Sequence, residues 1–266
     1  MKTMDKKPIA DVQNMPDDRG VEIDKVGIKN IKYPIVVLDK QNGTQYTVAN
    51  VNMYVNLPHN FKGTHMSRFV EILNEYRGQI DVKSIPQILK TMKERLNAES
   101  AHLEVEFPYF IEKKAPVSGE PSLMEYICRF KGTLTDKLDI VVELEVPVTT
   151  LCPCSKEISE HSAHNQRGVV RVAYRASEFV WIEDIIKLIE SCGSSEVYAL
   201  LKREDEKFVT EQAYENPRFV EDVVREAARK LLAKPEITWF AVEAENFESI
   251  HNHSAYAYAE IDKRNS

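Results

Sequence analysis

Two thiols and two imidazoles crowd one short stretch of this chain: Cys152, Cys154, His161 and His164 all lie between Thr150 and Arg167. Thiolate with imidazole is the donor set zinc prefers, and imidazole with carboxylate suits harder divalent metals. Spacing alone does not choose between Cys152 and Cys154, because residues two apart on an extended chain point the same way. A second donor group, Glu248, His251 and His253, lies near the C-terminus. A third stretch, Lys202 to Glu211, is dense in charge, and its ordinary explanation is a solvated face. The plain alternatives for the first two are a solvated loop holding a buried cysteine and a polar hairpin tip.

The elements around these groups follow from hydrophobic periodicity. Leu138, Ile140, Val142, Leu144, Val146 and Val148 alternate with polar partners and define the clearest strand. The chemistry-bearing loop, 149–166, follows it, and a strand resumes over 169–174. A loop held between two strands is a good place for a rigid site. Glu248, His251 and His253 fall between strands over 237–244 and 254–261, at a hairpin end. Earlier strands are expected at 46–57, after the Asn42-Gly43 turn signal, and at 103–111 and 123–130. Helices fit 64–76 and 84–98, the latter with a Ser84/Gln87 capping box. Further helices fit 181–191, a short stretch near 197–202, and a long amphipathic run after Asn216 and Pro217. Glu221 falls on the polar side of that run, where an exposed Glu is the default.

Strand, strand, helices, strand, strand therefore runs twice, which suggests two similar modules, 21–131 and 132–266, behind an N-terminal arm of 1–20. The fold class expected is α+β.

Composition limits the alternatives. The chain has 266 residues, with 42 acidic against 35 basic side chains, a net charge of −7. That acid excess disfavours nucleic acid as the main partner. No apolar run reaches the ~18 residues of a membrane span, and the first thirty residues lack a signal-peptide pattern, so a cytoplasmic, membrane-free protein is expected. The four cysteines, 128, 152, 154 and 192, form no zinc-finger frame and no disulfide scaffold. Cys128 and Cys192 read as buried small side chains.

Several blocks resemble the type B family of GTP cyclohydrolase I. They are LCPCSKEIS followed by AHNQR, LLKREDEKFVTEQAYENPRFVED, and the earlier IDKVGIKNIKYPI and NLPHNFKGTHMSRFVE. The resemblance runs from about Asp11 to Ile261. It implies two tandem tunnelling-fold (T-fold) modules, each an antiparallel four-stranded sheet with helices on one face. It also implies a homotetramer with active sites at subunit interfaces. Carried over residue by residue, it makes Cys152, His164 and Glu206 the metal ligands, with Glu248 and His251 beside the metal or water. Glu221 resembles the family's purine anchor.

The implied reaction is GTP plus water giving 7,8-dihydroneopterin triphosphate and formate, the first step of tetrahydrofolate and pterin synthesis. Water must add to C8 of the purine, the imidazole ring opens, and C8 leaves as formate. A metal that lowers the pKa of water from ~15.7 to ~7 lowers the cost of hydroxide by roughly 12 kcal/mol. One general base offers about 10²–10⁴-fold, or ~3–5 kcal/mol, so the divalent ion (manganese, zinc or iron) should dominate the first step. His251 or His253 could carry a proton to N7. The triphosphate requires a local cationic pocket, for which Lys62, Arg68, Lys156, Arg167, Lys202, Arg203 and Lys207 are candidates. The rival readings are a non-catalytic metal-thiolate or redox module built on Cys152 and Cys154, or another tunnelling-fold purine or pterin enzyme such as a nitrile reductase. That reductase's Glu-Ser-Lys-Ser run is absent here. The base-deaminase signature is absent too.

Overall fold

The structure, a computed structural model, describes residues 11–13, 15–78 and 80–265. The first ten positions of the expected arm, and Asn14, lie outside them. What is described of the arm is a strap on the chain's own loop: Lys62 N–H donates to Met15 O (3.1 Å) and Gly63 N–H to Gln13 O (3.1 Å).

The elements are β1 (Ile23–Asp39), β2 (Gly43–Leu57), α1 (Met66–Glu75), α2 (Ile85–Leu96), β3 (Ala101–Lys114), β4 (Pro121–Leu134), β5 (Leu138–Leu151), α3 (Pro153–Ile158), β6 (Asn165–Ala176), α4 (Ile182–Glu190), β7 (Ser195–Glu196), α5 (Arg203–Glu215), α6 (Val220–Leu232), β8 (Ile237–Asn246) and β9 (Ala255–Asp262). Hydrogen bonding orders the strands β1-β2-β3-β4-β5-β6-β8-β9, with β7 on β5. This is a mixed α and β fold built on antiparallel sheet, and no helix among the described residues is long and apolar enough to cross a membrane.

The chain divides into two compact units: Met1–Val37 with Val48–Val105 and Lys131–Asp139, and Leu38–Thr47 with Glu106–Phe130 and Ile140–Ser266. In the first, Ala49, Val51, Met53 and Val55 of β2 are buried, as are Phe69, Ile72 and Leu73 of α1 and Ile88, Leu89 and Met92 of α2. In the second, β5, β6, β8 and β9 pair antiparallel in that order. The inward residues Leu144, Val146, Val170, Val172, Phe240 and Val242 are buried, as are Ile185, Ile186 and Ile189 of α4 and Val223, Ala227 and Leu231 of α6. Each of the Val, Leu, Ile, Phe and Met side chains among them contributes about 1.5–3 kcal/mol by leaving water, which favours the amphipathic runs as helices.

Three local expectations differ from the structure. Residues 197–202 are not helical; they follow β7, which pairs with β5 (Thr149↔Ser195), and the helix starts later, at Arg203, inside the charged stretch. Ser84 makes no side-chain cap bond. Asp81 organises that turn instead, its Oδ1 accepting from Lys83 N–H and Ser84 N–H, both at 2.9 Å. The long helix begins at Val220 with Phe219 as its cap, so Pro217 lies just upstream of its first turn.

Candidate active site

The inward alternation of β5 and β6 does not stop where the valines do. It continues into Thr150, fully buried, and Gln166, 7% exposed, which face each other across the ladder. Gln166 Nε2 donates to Thr150 Oγ1 at 2.9 Å, satisfying two polar groups that burial would otherwise penalise. Gly168 is required beside them, since a Cβ there would stand 2.5 Å from Asn246 Oδ1. Behind β5, Ser194 Oγ accepts from Leu151 N–H (3.0 Å), and Asn216 Nδ2 donates to the carbonyls of Gly193 and Ser194. Arg218 N–H closes on Leu151 O at 3.0 Å. The strand end that carries the chemistry is therefore fixed by backbone hydrogen bonds on several sides.

Cys152 comes next in the chain and caps the six-residue α3, its Sγ accepting from Ser155 N–H at 3.3 Å, with Pro153 in the first turn. Its own N–H donates to His164 O at 3.1 Å, which closes the loop and brings the two candidate ligands together. His164 is 13% exposed, and its Nδ1 is ringed by oxygens: Gln166 Oε1 at 3.0 Å, Ser249 Oγ at 3.5 Å and Glu248 Oε2 at 3.9 Å. Cys152 is thus tied to His164 through the backbone, and Glu248 approaches the His164 ring, at one end of the sheet. Cys154 and His161 are exposed, and His251 and His253 stack at the β8–β9 tip with ring centroids 5.1 Å apart.

Glu206 is not gathered with them. Among the described residues, no group of three or more His, Cys, Asp or Glu could hold a metal ion. Glu206 is exposed on the first turns of α5, next to a residue that sequence reading passed over. Asp205 is fully buried and accepts from Val117 N–H (2.8 Å), Ser118 N–H (2.8 Å), Ser118 Oγ (2.6 Å) and Lys202 N–H (2.8 Å). Burial alone would raise its pKa, but these donors hold the carboxyl well below the usual carboxylate range. An acidic residue three after the cap was the available signal for it.

Glu221, Arg167, Lys202, Arg203, Lys207 and Lys62 are exposed. Lys156 Nζ donates to Tyr214 O and lies 4.3 Å from the Tyr214 ring centroid, and Arg68 Nη1 donates to Arg95 O at 3.2 Å. Sequence reading also missed Thr150, Gln166, Ser194 and Ser249 as site-builders. The signal for the first was on the page: a polar residue in the next inward position after Val148. The two isolated cysteines are buried as expected, and burial pushes the Cys192 thiol up to about 11 and Cys128 higher still, so neither supplies thiolate near neutrality.

Comparison with known proteins adds what geometry does not. The family described as type I GTP cyclohydrolase folE2 matches residues 9–257. GTP cyclohydrolase FolE2 of Geotalea uraniireducens is 64% identical over 256 residues, covering 96% of this chain and 94% of the relative. The protein of that name from Geobacter sulfurreducens is 63% identical, covering 96% and 99%. Among solved structures, uricase from Arthrobacter globiformis aligns with a TM-score of 0.54 at 9% identity over 91% of this chain and 94% of its own. Urate oxidase from Bacillus subtilis 168 aligns with a TM-score of 0.53 at 9% identity over 91% and 100%. At such identity these two likenesses concern the fold alone.

Proposed function

The chain belongs to the type I GTP cyclohydrolase FolE2 family, and from that premise we propose that it converts GTP and water to 7,8-dihydroneopterin triphosphate and formate. It would act as a hydrolase on the cyclic amidine C–N bonds of the guanine, at the first step of folate and pterin synthesis. The observation that carries the reading to a place on the molecule is the backbone bond that sets Cys152 beside His164 at one strand end, with the Glu248 carboxylate 3.9 Å from the His164 ring.

Those donors fit a divalent ion in kind: a thiol that already accepts a hydrogen bond, an imidazole oriented by its neighbours, and a carboxylate beside it. Cys152 and His164 would hold manganese, zinc or iron, with Glu206 as the third ligand; when bound, such an ion makes water a usable nucleophile at neutral pH. Because Glu206 is exposed and apart from the other two, completing that set needs a change of arrangement or a second subunit. The homotetramer with interfacial sites that the resemblance implies would let a second subunit reach the exposed Glu206 and Glu221.

The chain's own groups divide the remaining tasks. Glu248, 12% exposed and beside the His164 ring, can accept and return a proton near the opening ring. The stacked His251 and His253 reach solvent and can deliver one to N7. Glu221 offers a carboxylate to two N–H groups of the guanine edge. Arg167, Lys202 and Arg203 are open to phosphate, whereas Lys156 must first leave Tyr214. Lys62 and Arg68, in the first unit, are proposed separately as phosphate-binding candidates.

Two tandem T-fold modules, 21–131 and 132–266, belong to the same reading. The order β1, β2, α1, α2, β3, β4 followed by β5, β6, α4, α5, α6, β8, β9, broken only by the short α3 and β7, supports them. The experiment is to incubate the protein with GTP and Mn²⁺ or Zn²⁺, then assay formate and pterin fluorescence after oxidation. A metal-thiolate or redox module would bind the ion and yield neither product.

A further inference from the structure

We infer that Gln166 is a positioning residue that holds His164 as its Nδ1–H tautomer, leaving the Nε2 lone pair as the ring's only donor to a cation. This rests on the reading of His164 as a metal ligand.

The argument is one of hydrogen-bond bookkeeping around a single nitrogen. A neutral imidazole has one N–H and one lone pair. Three oxygens approach His164 Nδ1: Gln166 Oε1 (3.0 Å), Ser249 Oγ (3.5 Å) and Glu248 Oε2 (3.9 Å). Gln166 Oε1 is the nearest of the three and, as an amide oxygen, only accepts, so the proton belongs on Nδ1; Glu248 Oε2 lies beyond hydrogen-bond distance. The amide orientation agrees. Gln166 Nε2 donates to the buried Thr150 Oγ1 at 2.9 Å, with Oε1 facing the ring. Rotating the amide would aim its NH₂ at Nδ1 and require an Nδ1 lone pair beside Glu248. Gln166 is itself 7% exposed and locked in the β5–β6 ladder opposite Thr150, so the orienting group is more rigid than the ring it orients. Unassisted imidazole favours the other tautomer, which would block Nε2 with a proton. Partners of this kind typically change metal affinity 10–100-fold.

The test uses the full chain with ¹⁵N-labelled histidine, metal-depleted, at an alkaline pH where imidazole is neutral, followed by Mn²⁺ titration. The wild-type His164 signals should report Nδ1–H. Gln166→Leu should shift the ring toward Nε2–H and weaken Mn²⁺ binding about 10–100-fold, while Gln166→Glu, which keeps an acceptor, should preserve both tautomer and affinity. Backbone amide spectra establish that each variant is folded, and Gln166→Glu carries the test if Gln166→Leu is not. Wild-type His164 as Nε2–H, an unchanged tautomer in folded Gln166→Leu, or loss of the Nδ1–H form in folded Gln166→Glu would overturn the inference. Failure of the underlying reading looks different: His164→Ala would then leave Mn²⁺ affinity unchanged while the tautomer result stands.

Discussion

The middle and the end of the β5–β6 ladder share one geometry and differ in chemistry. In the middle, Leu144 faces Val172 and Val146 faces Val170; at the end, Thr150 faces Gln166. Both sets are buried. The apolar pairs stabilise by excluding water, and an apolar residue of similar volume is tolerated there. The polar pair stabilises only if both partners are present, because an orphaned buried group costs about 1–3 kcal/mol. What the difference teaches is that an inward alternation turning polar at its last step marks where a sheet stops being core and begins to hold a site.

Substitutions can break this comparison, and the largest effects belong at the polar end. Cys152→Ala and His164→Ala should each lower GTP turnover by more than the 10–100-fold cost of losing an outer partner, with the melting temperature close to wild type. Equal melting but equal turnover as well would remove the site from this strand end. In the middle, Leu144→Ala should cost about 2–5 kcal/mol in denaturant unfolding, while the protein that remains folded keeps its kcat. A large kcat loss there would mean that core and site are not separable.

Thr150→Val sharpens the contrast, since it keeps shape and removes only the hydroxyl. It strands Gln166 Nε2 and should destabilise by about 1–3 kcal/mol, whereas the valines already at 146 and 148 on the same strand leave no polar group unpaired. The smallest effect concerns the helix over the core. Arg229 beside Glu226, helped by Lys230, holds that carboxyl down to about 2. A depressed folded pKa gives stability that is present above the unfolded value of about 4.3 and is lost as pH falls toward the folded one. Wild type should therefore lose stability between about pH 5 and pH 2 more steeply than Glu226→Gln, measured by thermal melts.

Much of this was legible in the chain. The alternation of Val142 to Val148 located β5, and the stripe of Val223, Ala227 and Leu231 located α6, because each repeats the period of its element. The loop with Cys152 and His164 was visible as a density of donors, and Glu248 as part of a second group. That the two groups meet was implied only by the family resemblance and not by spacing, since proximity of residues 164 and 248 depends on β6 pairing with β8. Asp205 was hidden for another reason. In sequence it is one charge among many between 202 and 211; only the turn at Val117 and Ser118, far away in the chain, makes it buried. The small helix α3 also escaped, being too short for periodicity to speak.

The central claim, that Cys152 and His164 hold the ion on which GTP turnover depends, is tested most directly by formate release in metal-depleted protein reloaded with Mn²⁺. Wild type and Cys154→Ala should be silent after chelation and recover on reloading, while Cys152→Ala and His164→Ala stay silent. Turnover that survives chelation, or recovery in Cys152→Ala with none in Cys154→Ala, would contradict it.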